Sequence, residues 1–138
     1  MAEYTLAMIL LSGKQALERA RTYRAEGVRD HWLGMPREVG NFGRTIGILS
    51  ASMVGRRVIE LLRPYDMPVL LHDPYVSYEE AAALGAERVS IGELFSRSDV
   101  VSVHTPLLPE TRGLVSRELI YAMRRDAVLI NTARGAVV

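Results

Sequence analysis

Short runs of β-branched and leucine residues alternate with helical stretches over much of this chain. Apolar residues at every position of a run, rather than at every second one, indicate strands buried on both faces, as in a parallel sheet. Strand–helix alternation with short connections therefore predicts an α/β fold, a Rossmann-like doubly wound parallel sheet with right-handed crossovers. The runs that predict strands are residues 45–49, 69–72, 87–89, 100–103 and 127–131.

Helix signals lie between these runs. Residues 53–62 have a helical pattern that ends just before Pro64. Two Ser-x-x-Glu capping boxes predict the start of further helices, because each satisfies two backbone amides of a first helical turn. These boxes are Ser77 with Glu80 and Ser90 with Glu93.

Residues 1–44 differ in pattern from the rest of the chain. Residues 2–26 indicate one helix, with Gly13 as its weak point and Gly27 as its stop. Residues 31–43 contain three glycines and a proline and are typical of an irregular connection. The sequence thus predicts an N-terminal helix with its connection at residues 1–44 and a sheet domain at residues 45–138.

Composition excludes several classes of partner. The chain has 138 residues and a net charge of +1, so no broad field favours nucleic acid or a membrane surface. It has no cysteine, which removes disulfides and thiolate metal sites and fits a cytoplasmic protein. Its histidines, His31, His72 and His104, have no metal-ligand spacing, so we expect no metal site.

Polar segments follow four of the predicted strands. In doubly wound sheets, ligands bind beyond the carboxyl ends of the strands, near the point where the strand order reverses. That rule predicts a functional site composed of residues 50–55, Asp73, residues 104–106 and residues 131–134.

The first of these segments stands where a dinucleotide fold has its G-x-G-x-x-G turn, but only the third glycine, Gly55, is present. Ser50 in a left-handed conformation would cost about 1–2 kcal/mol. The Cβ of Ser52 would crowd a pyrophosphate, although its hydroxyl is also able to donate to one. The amides of Met53 and Val54, at the start of the helix, still offer an anion site. We expect dinucleotide binding that is weakened but not abolished.

Asp73 ends the next strand, where a carboxylate can accept hydrogen bonds from the adenosine ribose. The alternative is a turn-forming aspartate before Pro74. A carboxylate at this position would repel a 2′-phosphate, and no arginine follows at Pro74 or Tyr75 to offset that repulsion. The sequence therefore favours NAD over NADP as the cofactor.

Three stretches of the chain resemble those of one family. Residues 98–115, SDVVSVHTPLLPETRGLV, and residues 129–138, LINTARGAVV, resemble signature segments of the D-isomer-specific 2-hydroxyacid dehydrogenases. Residues 2–11, AEYTLAMILL, resemble the interdomain helix of that family. The resemblance extends over essentially the whole chain. Its last motif is specific, whereas the turn at residues 50–55 departs from the family pattern.

The resemblance implies a role for individual residues. Asp73 would hold the ribose, Thr105 and Pro106 would line the adenosine side, and Arg134 would be the catalytic residue that orients the 2-oxo acid by its forked guanidinium. His104 would be structural or on the cofactor side rather than catalytic. The cofactor-binding residues that it implies are Ser52, Met53, Val54, Gly55, Asp73, Thr105, Pro106, Thr111, Thr132, Ala133 and Arg134.

The resemblance also implies what a complete enzyme needs. The family's substrate domain precedes the interdomain helix, and its proton-relaying Glu and His come later than Val138. We therefore expect a sheet truncated after its fifth strand and an NAD-binding portion of an oxidoreductase acting on a small 2-hydroxy or 2-oxo acid, inactive as an isolated chain. The alternative is a non-catalytic nucleotide-binding or protein-interaction module derived from a dehydrogenase.

A homodimer is the expected assembly. The resemblance implies a dimer built on the nucleotide domain, with the first helix near the partner. The opening turns of that helix are apolar almost all round, Leu6 and Leu10 included, which a helix on a lone domain would not tolerate. In the usual 3-2-1-4-5 strand order, residues 127–131 would also form an outer strand, whose edge invites pairing with another chain.

Overall fold

The structure is a computed structural model and describes residues 1–26 and 40–138. Parts of the predicted N-terminal region lie outside the described residues, namely the helix stop at Gly27, His31 and most of the connection at residues 31–43.

The described residues form one five-stranded parallel sheet in the order β3-β2-β1-β4-β5, which confirms the predicted fold class and strand order. In register, Leu49 of β1 lies between His72 of β2 and Val103 of β4, so these three strands end level with one another. Strand order reverses between β1 and β4, where a ligand crevice is expected. The strands are β1 Ile46–Leu49, β2 Val69–His72, β3 Glu87–Arg88, β4 Val100–Val103 and β5 Val128–Asn131.

The helices connect these strands and begin where the sequence signals lie. Both capping boxes are present, with Ser77 accepting from the Glu80 amide and Ser90 from the Glu93 amide. Gly85 ends one of these helices in the left-handed conformation, at φ 88°. The helices of the described residues are α1 Ala2–Gly13, α2 Ala16–Glu26, α3 Met53–Leu62, α4 Tyr78–Leu84, α5 Ile91–Arg97 and α6 Arg117–Tyr121.

The single helix predicted over residues 2–26 is wrong, because the chain breaks it into α1 and α2. Gln15 has a positive φ of 51° between the two helices. The side-chain amide of Asn41 donates to the Leu10 carbonyl at 3.1 Å and so satisfies the end of α1. A Cβ at Gly13 would collide with this Asn41 side chain, so the glycine leaves room for the cap.

The sheet is covered on both faces, and each face has its own core. On one face, Ile46 and Ile48 of β1 pack in a cluster with Ile9 of α1 and Val58 of α3. On the other face, Leu49 packs in a second cluster, together with Leu94, Phe95, Val101 and Val103. Since Ile9 belongs to the core of the sheet, α1 is a layer of the same body. The division at residues 44 and 45 stays a proposal.

Candidate functional site

Hydrogen bonds bring the four predicted segments together at the carboxyl ends of the strands, which we call the carboxyl edge. Ser50, after β1, contacts Asp73, after β2. Ser52 contacts the backbone of His104, after β4, and the His104 ring contacts Thr132, after β5. Residues from four separate strand ends thus form one continuous polar edge.

The turn between β1 and α3 has a left-handed first residue and a close approach of helix to strand, despite its two serines. Ser50 adopts φ 80°, the left-handed conformation that the sequence required of it. A Cβ at Gly55 would collide with the Ser50 carbonyl oxygen, so the glycine is needed for the approach of α3 to β1. The guanidinium of Arg56 donates through Nε to the Ala51 carbonyl at 2.9 Å.

Asp73 is buried, with 7% of its surface exposed, and its carboxylate accepts three hydrogen bonds from its own chain. Oδ2 accepts from the Ser50 hydroxyl at 3.1 Å and from the Ala51 amide at 2.9 Å. Oδ1 accepts from the Tyr75 amide at 2.9 Å, the bond of a turn-forming aspartate. The structure shows Asp73 as a turn-forming aspartate, its contact with a ribose stays a prediction, and its bond to Ser50 was not foreseen.

Ser52 links the two sides of the expected crevice. Its hydroxyl donates to the His104 carbonyl at 2.9 Å and, as the N-cap of α3, accepts from the Gly55 amide at 3.3 Å. This bond joins the turn after β1 to the loop after β4, at the point where the strand order reverses. The donor that the sequence offered to a pyrophosphate is therefore bound to the protein itself.

His104 lies under this crevice and is only 6% exposed. Its Nε2 is 2.9 Å from the Ser102 hydroxyl and its Nδ1 is 3.4 Å from the Thr132 hydroxyl. Burial lowers the pKa of His104 from 6.5 to about 4, so the ring is neutral at pH 7. A neutral ring between two hydroxyls fits the structural or cofactor-side role that the resemblance implied for His104, and that role stays a prediction.

The loop after β4 is held by its own threonines. Thr105 is buried, and its hydroxyl lies 3.5 Å from the Leu49 carbonyl. The Thr111 hydroxyl donates to the Pro106 carbonyl at 2.6 Å and accepts from the Leu108 amide at 2.8 Å. In this structure Thr111 shapes the loop, and its contact with a cofactor stays a prediction.

Arg134 is exposed at the end of β5, in a turn shaped by Asn131. The Asn131 side chain accepts from the Ala133 amide at 3.0 Å and donates to the Arg134 carbonyl at 3.1 Å. The Arg134 guanidinium donates to the Ala133 carbonyl at 3.0 Å. Arg134 is exposed, whereas the preceding Thr132 and Ala133 are half-buried. Sequence reasoning missed the positioning role of Asn131, whose signal was its place at the strand end.

Residues 1–26 and 40–138 contain neither of two other kinds of site. Within these ranges, no three His, Cys, Asp or Glu side chains are grouped so that they could hold a metal ion. The helices described there include none with the length and apolar content that a membrane crossing requires.

A parallel sheet in this order, with a glycine-dependent turn after β1 and a carboxylate after β2, defines a dinucleotide-binding α/β domain. More narrowly, the chain belongs to the D-isomer-specific 2-hydroxyacid dehydrogenases. The model of the NAD-binding domain of that family matches residues 6–138.

Individual relatives agree with this family. The chain is 31% identical to a D-3-phosphoglycerate dehydrogenase of Methanocaldococcus jannaschii, over 100% of the chain and 26% of that protein. It is 35% identical to a glyoxylate reductase of Aeropyrum pernix, over 99% of the chain and 42% of that protein. An NAD complex of the NAD-dependent formate dehydrogenase from Staphylococcus aureus superposes with a TM-score of 0.80 and 28% identity, over 99% of this chain and 40% of that one. The chain thus spans less than half the length of these relatives.

NAD is the cofactor of this domain, and the carboxyl edge fits it at several points. The Asp73 carboxylate follows β2, where the sequence predicts a ribose contact, and the Met53 and Val54 amides lie in the first turn of α3, where the helix provides no backbone acceptor. Gly55 permits the close approach of helix and strand. Ser50 and Ser52 fit less well, since their hydroxyls already bind groups at the edge.

Proposed function

We propose that this chain holds NAD for hydride transfer to and from a small D-2-hydroxy acid, in an oxidoreductase of which it is the NAD-binding portion. One observation carries the proposal: the carboxylate of Asp73 and the exposed guanidinium of Arg134 lie at opposite ends of one continuous polar edge. Bound NAD would supply the hydride acceptor. The chain would bind the ribose at the Asp73 end and orient the acid at the Arg134 end.

Cofactor preference tests the Asp73 end. The buried carboxylate would repel the 2′-phosphate of NADP, so we expect calorimetric titration to give at least about tenfold tighter binding of NAD. Asp73→Asn keeps the size of the side chain and removes its charge, and it should reduce that preference several-fold. Equal affinities for both cofactors in the wild type, unchanged in the variant, would contradict the ribose assignment. Thermal melting should accompany the titration, because Asp73 also binds the Ala51 and Tyr75 amides.

Arg134 is proposed as the substrate-orienting residue because its planar fork matches a carboxylate and an adjacent carbonyl. Oxalate, which mimics a 2-oxo acid, should alter the fluorescence of NADH bound to the chain. Arg134→Lys keeps the charge but loses the fork, so the oxalate response should weaken about tenfold or more. Arg125→Lys, another exposed arginine, is the matched control and should leave the response unchanged. An undiminished response in Arg134→Lys would contradict this role.

A homodimer remains part of the proposal, on a surface that the structure redefines. Leu6 and Leu10 pack partly buried against the core of their own subunit, so they are poor probes of an interface. Tyr4 and Leu11 are 58% and 41% exposed on α1 and offer an apolar surface to a second copy.

Light scattering tests this assembly. Tyr4→Glu with Leu11→Glu should shift a dimer to monomer without unfolding it, because both side chains are exposed in the subunit. Tyr121→Glu, at a 76% exposed position of α6, is the control and should leave the mass unchanged. A monomeric wild-type protein at micromolar concentration would remove the proposal.

A non-catalytic module derived from a dehydrogenase is the second candidate. The own-chain hydrogen bonds of Ser50 and Ser52 favour it, because they occupy groups that a dinucleotide needs. Absence of NAD binding at millimolar concentration, together with a folded protein, would favour this candidate over the first. A cytoplasmic location is likewise a proposal and rests on the lack of cysteine.

A further inference from the structure

We infer that two serine side chains compete with the ADP moiety of a bound nucleotide. Ser50 competes with the ribose for the Asp73 carboxylate, and Ser52 competes with the diphosphate at the start of α3. The inference rests on the proposed function, since it concerns how the same site binds its nucleotide. It assigns a separate ligand-selecting role to each serine.

The bond from Ser50 decides how many ribose hydroxyls Asp73 can accept. Each carboxylate oxygen accepts about two hydrogen bonds. Oδ2 already has two donors, the Ser50 hydroxyl and the Ala51 amide, whereas Oδ1 has one, the Tyr75 amide. A ribose diol offers two hydrogens, and only one can be accepted while the Ser50 bond persists.

Ser50 is the only one of these donors that a side-chain substitution removes. Backbone amides at positions 51 and 75 would remain with almost any residue, but glycine at position 50 would leave Oδ2 with one free acceptor position. Glycine also adopts the observed φ of 80° without strain. The wild-type chain should therefore gain little from the second ribose hydroxyl, and Ser50→Gly should restore that gain.

Ser52 affects a different part of the ligand. A hydroxyl has one hydrogen to donate, and that of Ser52 is directed to the His104 carbonyl. The bond crosses between β1 and β4 at the reversal of strand order, where a bound dinucleotide spans the crevice with its pyrophosphate at the start of the helix. A diphosphate at the start of α3 must accommodate this side chain or break its bond. Adenosine, which has no phosphate, need not.

Calorimetric titration with adenosine, ADP, 2′-deoxyADP and NAD separates the two effects. Ser50→Gly should tighten ADP and NAD about tenfold and adenosine similarly, and it should widen the preference for ADP over 2′-deoxyADP from within about threefold to about tenfold. Ser52→Gly should tighten ADP and NAD but leave adenosine within about twofold of the wild type.

Two further variants complete the experiment: one separates crowding from hydrogen bonding at Ser52, and the other is a control. Ser52→Ala removes the hydroxyl and keeps the Cβ, so tightening in glycine but not in alanine would assign the effect to crowding, and tightening in both would assign it to the hydrogen bond; either result supports the inference. Ser77→Gly removes the N-cap of α4, where the serine hydroxyl accepts from the Glu80 amide, and should leave every affinity unchanged. Melting curves confirm that each variant is folded.

The outcomes distinguish the inference from the proposed function. NAD binding by the wild type with affinities unchanged in both glycine variants would overturn the inference and leave the proposed function standing. Tightening of ADP and 2′-deoxyADP by the same factor in Ser50→Gly would overturn the ribose assignment. No binding of any of these ligands by the wild type or by either variant would overturn both proposals.

Discussion

The carboxyl edge has two halves that differ in how they treat their charged group. The adenosine half, residues 50–55 with Asp73, buries its carboxylate and surrounds it with hydrogen bonds from the same chain. The nicotinamide half, named for the role that the resemblance implies for residues 131–134, keeps the family motif and exposes the guanidinium of Arg134. Both halves nevertheless lie on the same regular sheet.

The difference shows that loss of glycines need not disturb the fold of a binding turn. Ser50 accepts the left-handed conformation, and its hydroxyl gains a bond to Asp73 that a glycine would lack. Ser52 gains the N-cap of α3. These bonds stabilise the turn while, on our proposal, they occupy groups that a nucleotide would bind, so we expect stability and binding to be opposed in the adenosine half.

The largest expected effect on stability comes from a substitution that disturbs the backbone of the adenosine half. Gly55→Ala would place a Cβ against the Ser50 carbonyl, a rigid group, and should lower the free energy of unfolding by about 3 kcal/mol. Urea denaturation measures this change. Gly92→Ala in α5 meets open space and is the matched control, for which helix propensity predicts a gain of up to about 1 kcal/mol. Equal stability of Gly55→Ala and wild type would contradict the close approach.

Acid sensitivity probes the support of the nicotinamide half. The folded pKa of His104, about 4, lies below its ordinary value of 6.5, so the unfolded chain binds the proton more readily. The contribution of His104 is therefore complete above pH 6.5 and is lost as the pH falls toward 4. Between pH 7.5 and pH 5 the free energy of unfolding should fall by about 2 kcal/mol from this group.

His104→Gln tests that assignment, because glutamine does not titrate and its amide can still bind hydroxyls. Urea denaturation at a series of pH values should show a smaller acid loss in this variant by about 2 kcal/mol. His72→Gln is the control and should retain the loss that comes from His104. An identical pH profile for wild type and His104→Gln would show that the ring is not buried in its neutral form.

The smallest effects compare one hydroxyl with one guanidinium. Ser52→Ala removes the N-cap of α3 and the bond to His104, and should lower the free energy of unfolding by about 1 kcal/mol. Arg134→Ala removes an exposed side chain and should change it by less than about 0.5 kcal/mol. Thermal melting of both variants provides the measurement. A greater loss of unfolding free energy in Arg134→Ala than in Ser52→Ala would contradict the contrast between a buried, hydrogen-bonded adenosine half and an exposed nicotinamide half.

Sequence reasoning succeeded where signals are local. The strands were found within one residue at either end because a strand buried on both faces is apolar throughout, and α3 was found with its observed bounds, Met53–Leu62. The clustering of the site followed from one topological rule, that parallel strands end at a common edge.

Sequence reasoning failed where the structure depends on contacts between residues that are far apart in the sequence. The break between α1 and α2 depends on Asn41, a residue far along the chain from the Leu10 carbonyl that it binds. The bonds of Ser50 to Asp73 and of Ser52 to the His104 carbonyl join separate strand ends. No local pattern encodes which hydroxyl reaches which acceptor, so the competition at the adenosine half became visible only in three dimensions.

The position of Ile9 bears on which part of this chain is needed for a complete hydrophobic core. Its side chain is 1% exposed and belongs to the same cluster as Val58 and Leu62 of α3. A protein that began at residue 45 would expose the apolar surface that α1 covers, and burial of that surface contributes roughly 25 cal/mol for each Å². The hydrophobic core of the sheet therefore includes α1, and deletion of residues 1–44 would remove part of that core.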